Sequence, residues 1–249
     1  MVSADQTNFP VLVSLSSDGD LAADAQDDGD DLVFTDSAGT RIPHEIESFS
    51  DSTGALDAWV NVPAISASTN TDIYLYYGNS GTASQQNPTG VWDSNYVGVW
   101  HLKESGTGAD YEYIDSTYNN PGQGGEGLAA YVPTRVAGKI GYGQDFSNGD
   151  GKWDLIDLHN SSSLDVIGNQ ITVEAWIQPG FDQADPGNIT RGFINHKGWF
   201  NGYSFVMNNW GCSQPNCVFF GLPGQNYSVT SDNVVSKNTW HHVVGTYNG

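Results

Sequence analysis

Short runs of alternating apolar and polar residues recur along nearly the whole chain. Phe9-Pro-Val-Leu-Val-Ser-Leu is the first. Asp31-Leu-Val-Phe-Thr-Asp meets the turn Ser37-Ala-Gly-Thr before Arg41-Ile-Pro-His-Glu-Ile-Glu resumes the pattern, which predicts a hairpin. Ala58-Trp-Val-Asn-Val and Asp72-Ile-Tyr-Leu-Tyr-Tyr continue the series. Further strands are predicted at Tyr96–Leu102, Gly141–Phe146, Leu155–Leu158, Gln170–Ile177, Arg191–His196, Tyr203–Met207, Cys217–Leu222 and Trp240–Tyr247. Period two, with Gly, Asn, Asp or Ser at the ends of each run, suits antiparallel sheets that bury one face of every strand. The one helical signal is a single turn at Leu21-Ala-Ala-Asp. The fold class predicted is therefore all-β.

After Tyr77-Gly-Asn the sequence becomes polar and poor in apolar residues, Ser80-Gly-Thr-Ala-Ser-Gln-Gln-Asn-Pro-Thr-Gly, the composition of a connector between packed units. This predicts two domains, residues 1–90 and 91–249. Eight Trp and twelve Tyr supply enough apolar surface for globular cores. The net charge of −21 repels phosphate backbones and anionic lipid, which excludes nucleic acid as a natural partner. Of the 29 acidic residues only six are Glu; Asp favours turns, caps and hard-cation sites over helix interiors. A solvated acidic surface and calcium sites are both compatible with that bias.

No run approaches the ~18 apolar residues of a membrane span, and Met1 to Phe9 lacks the charged start and apolar stretch of a signal peptide, so the start reads as a boundary inside a longer protein. Cys212 and Cys217 enclose Ser-Gln-Pro-Asn, a turn-rich loop between apolar segments that predicts a small hairpin disulfide. Asn160, Asn188 and Asn226 stand in glycosylation sequons.

Six phrases in the second domain, taken in order, are similar to the laminin-G-like branch of the concanavalin A-like lectin/glucanase superfamily. They are Val99-Trp-His-Leu, Asp115-Ser-Thr-Tyr-Asn-Asn-Pro-Gly, Gly138-Lys-Ile-Gly-Tyr-Gly-Gln-Asp-Phe, Ser163-Leu-Asp, Ile171-Thr-Val-Glu-Ala-Trp-Ile-Gln-Pro and Trp240-His-His-Val-Val-Gly-Thr-Tyr. The first domain resembles a small β-domain of unassigned function that precedes such sandwiches in prokaryotic surface proteins, through Asp30-Asp-Leu-Val-Phe-Thr-Asp, Gly39-Thr-Arg-Ile-Pro-His-Glu-Ile, Trp59-Val-Asn-Val-Pro and Tyr74-Leu-Tyr-Tyr-Gly-Asn. These resemblances imply a small antiparallel β-sandwich followed by a concanavalin A-like jelly-roll sandwich, on a secreted or cell-surface protein. In the family the Trp-His-His-Val strand is followed by several more strands, so the second domain is expected to be incomplete at Gly249. The resemblance also sets Trp100, Trp176 and Trp240 on strands as buried residues.

Sugar binding is the function expected, because pyranose rings stack on exposed aromatic faces while amides and carboxylates take the hydroxyls. The candidate ligand contacts are Trp199, Tyr203, Asn208 and Trp210, with Trp199 and Trp210 expected to be partly exposed; strand alternation turns Tyr203 and Phe205 toward the core. Asp145, Asn148, Asp150 and Asp154 surround a glycine-permitted bend with oxygen ligands, and many sandwiches of this kind hold a structural calcium near this rim. The bend lacks a full twelve-residue calcium loop. Hydrolysis needs two carboxylates across a groove, and the Glu-x-Asp-x-x-Glu strand of the family's hydrolases is missing. Glu45 and Glu47 share a strand face but lie in the first domain, and Glu174 stands alone in its strand. His241 and His242 point to opposite strand faces and so cannot readily share a metal. A carbohydrate-binding and adhesion module is thus expected, with a polysaccharide-degrading enzyme using Glu174, or a structural subunit of a surface filament or layer, as alternatives.

Overall fold

The first of two units, Met1–Asp157, is built on two antiparallel sheets. In chain order its elements are β1 (Gln6–Leu15), α1 (Gly19–Asp24), β2 (Val33–Asp36), β3 (Arg41–Ile42), β4 (His44–Ser50), β5 (Ala55–Ile65), β6 (Ile73–Tyr76), α2 (Pro88–Val91), β7 (Gln123–Gly124), β8 (Thr134–Ala137), β9 (Tyr142–Asp145) and β10 (Ile156–Asp157). One sheet runs β1-β5-β4 and the other β3-β2-β6, and the pairs β7-β10 and β8-β9 form small two-stranded sheets besides. The computed structural model describes residues 2–146, 153–165, 169–180, 191–197, 202–207, 216–222 and 227–249.

Alternation along β5 shows why the sheets pack. Leu56, Ala58, Val60 and Val62 are buried, and with Leu21, Leu32, Phe34, Ile42 and Ile46 they form one core. The predicted helical turn is α1, capped by Asp18, whose carboxylate accepts from Asp20 N and Leu21 N at 3.0 Å each. Gly54, in the turn between β4 and β5, has φ +65°, and a Cβ there would stand 1.9 Å from the Asp18 carbonyl oxygen.

The strand predicted at Tyr96–Leu102 does not form; Trp100 makes a single bridge to Asp115. Asp115, fully buried, takes the place of a ladder by accepting from Val99 N at 2.8 Å, Asn120 N at 2.9 Å and Thr117 N at 3.0 Å. The Asn120 amide in turn donates to Val97 O at 2.8 Å. Side-chain acceptors thus satisfy the backbone of this segment. The described residues of 91–157 belong with the first compact unit, which runs to Asp157.

The second unit, Leu158–Gly249, carries β11 (Ile171–Ile177), β12 (Arg191–His196), β13 (Tyr203–Met207), β14 (Cys217–Leu222), β15 (Tyr227–Val234) and β16 (His241–Tyr247). β11 pairs with β16, and β12-β13-β14-β15 form a four-stranded sheet, all antiparallel. Phe205, Met207, Phe220 and Leu222 from the larger sheet meet Ile171, Val173, Ala175, Ile177 and Val243 from the pair in one core. Two sheets closing on one apolar layer make a β-sandwich. The fold class is therefore all-β, as expected.

Candidate functional site

Two groupings of chemically able side chains stand out, one in each unit. In the first, Glu45 and Glu47 lie on the face of β4 opposite the core, with Glu45 paired across to Trp59 of β5 and a bulge at Glu47 between Ile46 and Ser48. Trp59 Nε1 donates to Glu47 Oε2 at 2.6 Å, Trp92 Nε1 donates to Glu45 Oε2 at 2.8 Å, and Ser116 Oγ donates to Glu45 Oε1 at 2.6 Å. His101 is wedged between the acids, Nε2 3.1 Å from Glu45 Oε2 and Nδ1 3.2 Å from Glu47 Oε2. The Nε2 contact is off line for a good hydrogen bond, so it acts chiefly as an ion pair. Trp59 and Trp92 cover the ring at centroid distances of 6.3 and 6.1 Å.

Burial opposes the charge on His101, but its close contacts with the carboxylates of Glu45 and Glu47 win and hold its pKa at about 9. Burial likewise opposes ionisation of Glu45, and is outweighed by His101, Ser116 and Trp92, which leave its pKa below the usual value. With the His101 side chain 8% exposed, and those of Glu45 and Glu47 at 8% and 5%, the cluster offers no face to a substrate. It is a buried ion-pair clamp fixing residues 92–116 to the sheet.

The second grouping is open. On β11 the apolar parity is Ile171, Val173, Ala175 and Ile177, which leaves Thr172, Glu174 and Trp176 on the outer face. In register with them on β16 are Thr246, Val244 and His242. The Trp176 and His242 rings lie 5.1 Å apart at 33°, and His242 Nε2 is 3.3 Å from Glu174 Oε2. Trp176 is 42% exposed and Val244 49%. A flat indole beside a carboxylate and an imidazole can stack on the C–H face of a ring and hydrogen-bond its hydroxyls.

Trp176 is therefore not the buried residue expected. Its parity with Thr172 and Glu174 was the signal available in the sequence, since a strand cannot bury both sets. Trp100 and Trp240 are half-buried. Tyr203 sits in the core at 7% exposure, against His196 at 5.3 Å, and presents no face to a ligand. Trp199, Asn208 and Trp210 lie outside the described residues. So do Asn148 and Asp150, whereas Asp145 and Asp154 are half-buried in the first unit. Among the described residues no three His, Cys, Asp or Glu side chains are placed to hold a metal ion, so Asp145 and Asp154 do not make a calcium site by themselves. Cys217 is disulfide-bonded; Cys212 lies outside the described residues.

The sandwich of the second unit has its counterpart among known families: residues 150–249 match the concanavalin A-like lectin/glucanases superfamily. Ahead of it, residues 28–119 match a domain of unknown function, DUF2341. This is the arrangement expected from the sequence. Val99–Leu102 and Asp115–Asn119, read there as part of the lectin-like domain, fall inside the DUF2341 match, as do all residues of the His101 clamp. No curated protein and no solved structure matches the chain at a significant level. No helix among the described residues is long and apolar enough to cross a membrane.

Proposed function

We propose that this protein binds carbohydrate without converting it, as a recognition and adhesion module acting outside the cell, and that β11 and β16 present the contact surface. The observation that carries this reading is the indole of Trp176, 42% exposed and flanked by Glu174 and His242 on the outer face of a lectin-like sandwich. A part-exposed Trp offers a ring face for stacking, and its flanking polar groups suit a hydroxylated ligand rather than an apolar one. Affinity at one such open face is expected to be weak and to rise with repetition. Calcium as structural support near Asp145 and Asp154 belongs to the same reading, on the strength of the oxygen-rich run Asn148–Asp154.

A glycan array followed by polysaccharide pull-down identifies the ligand. Trp176→Ala is expected to weaken binding roughly tenfold or more, the loss of one good ring contact. Binding unchanged in that variant, while Trp199→Ala abolishes it, would move the platform away from β11. Release of reducing sugar by the native chain, lost in Glu174→Gln, would overturn the non-catalytic reading.

A further inference from the structure

We propose that the first unit carries a glycan site of its own, a tyrosine-lined groove beside β6 that binds a neutral polysaccharide. It does not depend on the β11–β16 face.

The sequence Ile73-Tyr74-Leu75-Tyr76-Tyr77 places three tyrosines within four residues. Ile73 and Leu75 pack on the core, so Tyr74 and Tyr76 point outward on the same sheet face, about 6.6 Å apart along the strand. Tyr74 is 48% exposed, Tyr76 56% and Tyr77 36%. Tyr76 and Tyr77 line a groove with Val33, Asp31, Asn79, Thr82 and Gln85. Apart from Val33, every lining residue carries a hydroxyl, an amide or a carboxylate. The hydroxyls of Tyr74 and Tyr76 and the amide of Asn79 make no hydrogen bond to a described residue, which leaves donors and acceptors beside bare ring faces.

The wall of the groove is rigid. Asp31 accepts from Gly78 N at 2.6 Å and Asn79 N at 2.9 Å, and Gln26 Nε2 donates to Asn79 O at 2.8 Å and Thr82 O at 3.0 Å. Gln85 accepts from Arg41 Nη2 at 2.7 Å and donates to Thr82 Oγ1 at 3.0 Å. Segment 78–85 is therefore pinned before any ligand arrives, which lowers the ordering cost of binding. The groove encloses about 160 Å³. That is below the ~300 Å³ of pockets that engulf a small molecule, and fits a polymer lying across the tyrosines.

Charge selects the kind of polymer. Partial desolvation, then the fields of Asp20, Asp18 and Asp24, raise the pKa of Tyr77, which places acids at the rim. Such a rim repels uronate-rich and sulfated chains. A proline-rich peptide also docks on aromatic grooves, but those grooves are mainly apolar, and here the polar lining dominates.

Affinity electrophoresis of the full chain in native gels containing mixed-linkage β-glucan, glucomannan or xylan tests the site. The background is Trp176→Ala, so loss of the second-unit face and loss of this groove are read separately. Retardation by at least one of these neutral polymers is expected, weakened roughly tenfold by Tyr76→Ala and by Tyr77→Ala and only slightly by Tyr76→Phe. No retardation in the Trp176→Ala background overturns the site. So does retardation that ignores Tyr76→Ala, or that is matched by alginate or by a polyproline peptide. Circular dichroism of each variant confirms that these exposed positions leave the fold intact.

Discussion

His44 faces the core from β4 and His101 abuts the opposite side of that strand, and their protons are held in opposite senses. Burial, helped by Arg41, lowers the His44 pKa to about 4, and its ring packs against Phe34 at a tilt, 5.3 Å between centroids. The pKa of His101 is raised to about 9. The contribution of His101 is thus full below its unfolded value of 6.5 and is lost as pH rises toward 9. That of His44 is full above 6.5 and is lost as pH falls toward 4. Glu45, with a lowered pKa, adds a further loss below 4.5. Stability of the first unit is therefore expected to peak near pH 6.5 in denaturant titrations across the pH range. His101→Gln is expected to cost about 3–5 kcal/mol at that pH, because two buried carboxylates lose their counter-charge. It should also flatten the alkaline limb; a variant that kept the same alkaline slope would assign that slope to another group. In the sequence Glu45 and Glu47 could be placed on one strand face. His101, some fifty residues on, gave no sign that it would come between them, since pairing across such a distance is fixed only by the packed fold.

At the scale of elements, turns and close approaches decide more than propensity does. Gly54→Ala is expected to lower stability by more than about 2 kcal/mol, because it adds left-handed strain to a clash with backbone rather than with a flexible side chain. Chemical denaturation of the variant measures this, and a change below about 0.5 kcal/mol would mean that the chain near Asp18 gives way freely. Gly245 of β16 plays a packing role instead: a Cβ there would sit 2.4 Å from the Phe220 ring, where the two sheets of the second unit meet. Period-two patterning made most of these strands legible, including β5 and β11, because a sheet with one wet face writes its parity into the sequence. It failed at Tyr96–Leu102, where the apolar spacing is strand-like but Asp115 and Asn120 supply the hydrogen bonds that a neighbouring strand would. At Trp176 the family resemblance, which implies a buried aromatic, runs against the parity of its own strand, and the parity holds.

For the whole molecule, charge is the dominant global term. A net charge of −21 places like charges within a Debye length of one another at low ionic strength, ~30 Å at 0.01 M, and salt shortens that reach to ~10 Å at 0.1 M. The melting temperature in EDTA is accordingly expected to rise between ~0.01 and ~0.1 M NaCl. No change, with the chain folded throughout, would show that the acids are already compensated locally. The all-β architecture was readable from strand parity and family phrases, but the way residues 91–120 attach was not. Residues 91–120 are polar and turn-rich enough to pass for the opening of a new domain, yet Trp92, His101 and Ser116 close over Glu45 and Glu47 and bind that stretch to the first. The same closure makes assembly of the first unit a reaction with solvent. At pH 8 the imidazole of His101 is bare in the open chain and charged in the finished one, whereas that of His44 is bare in both. Each molecule that folds there removes close to one hydrogen ion from the surrounding buffer, so the heat of folding should depend on which buffer gives it up.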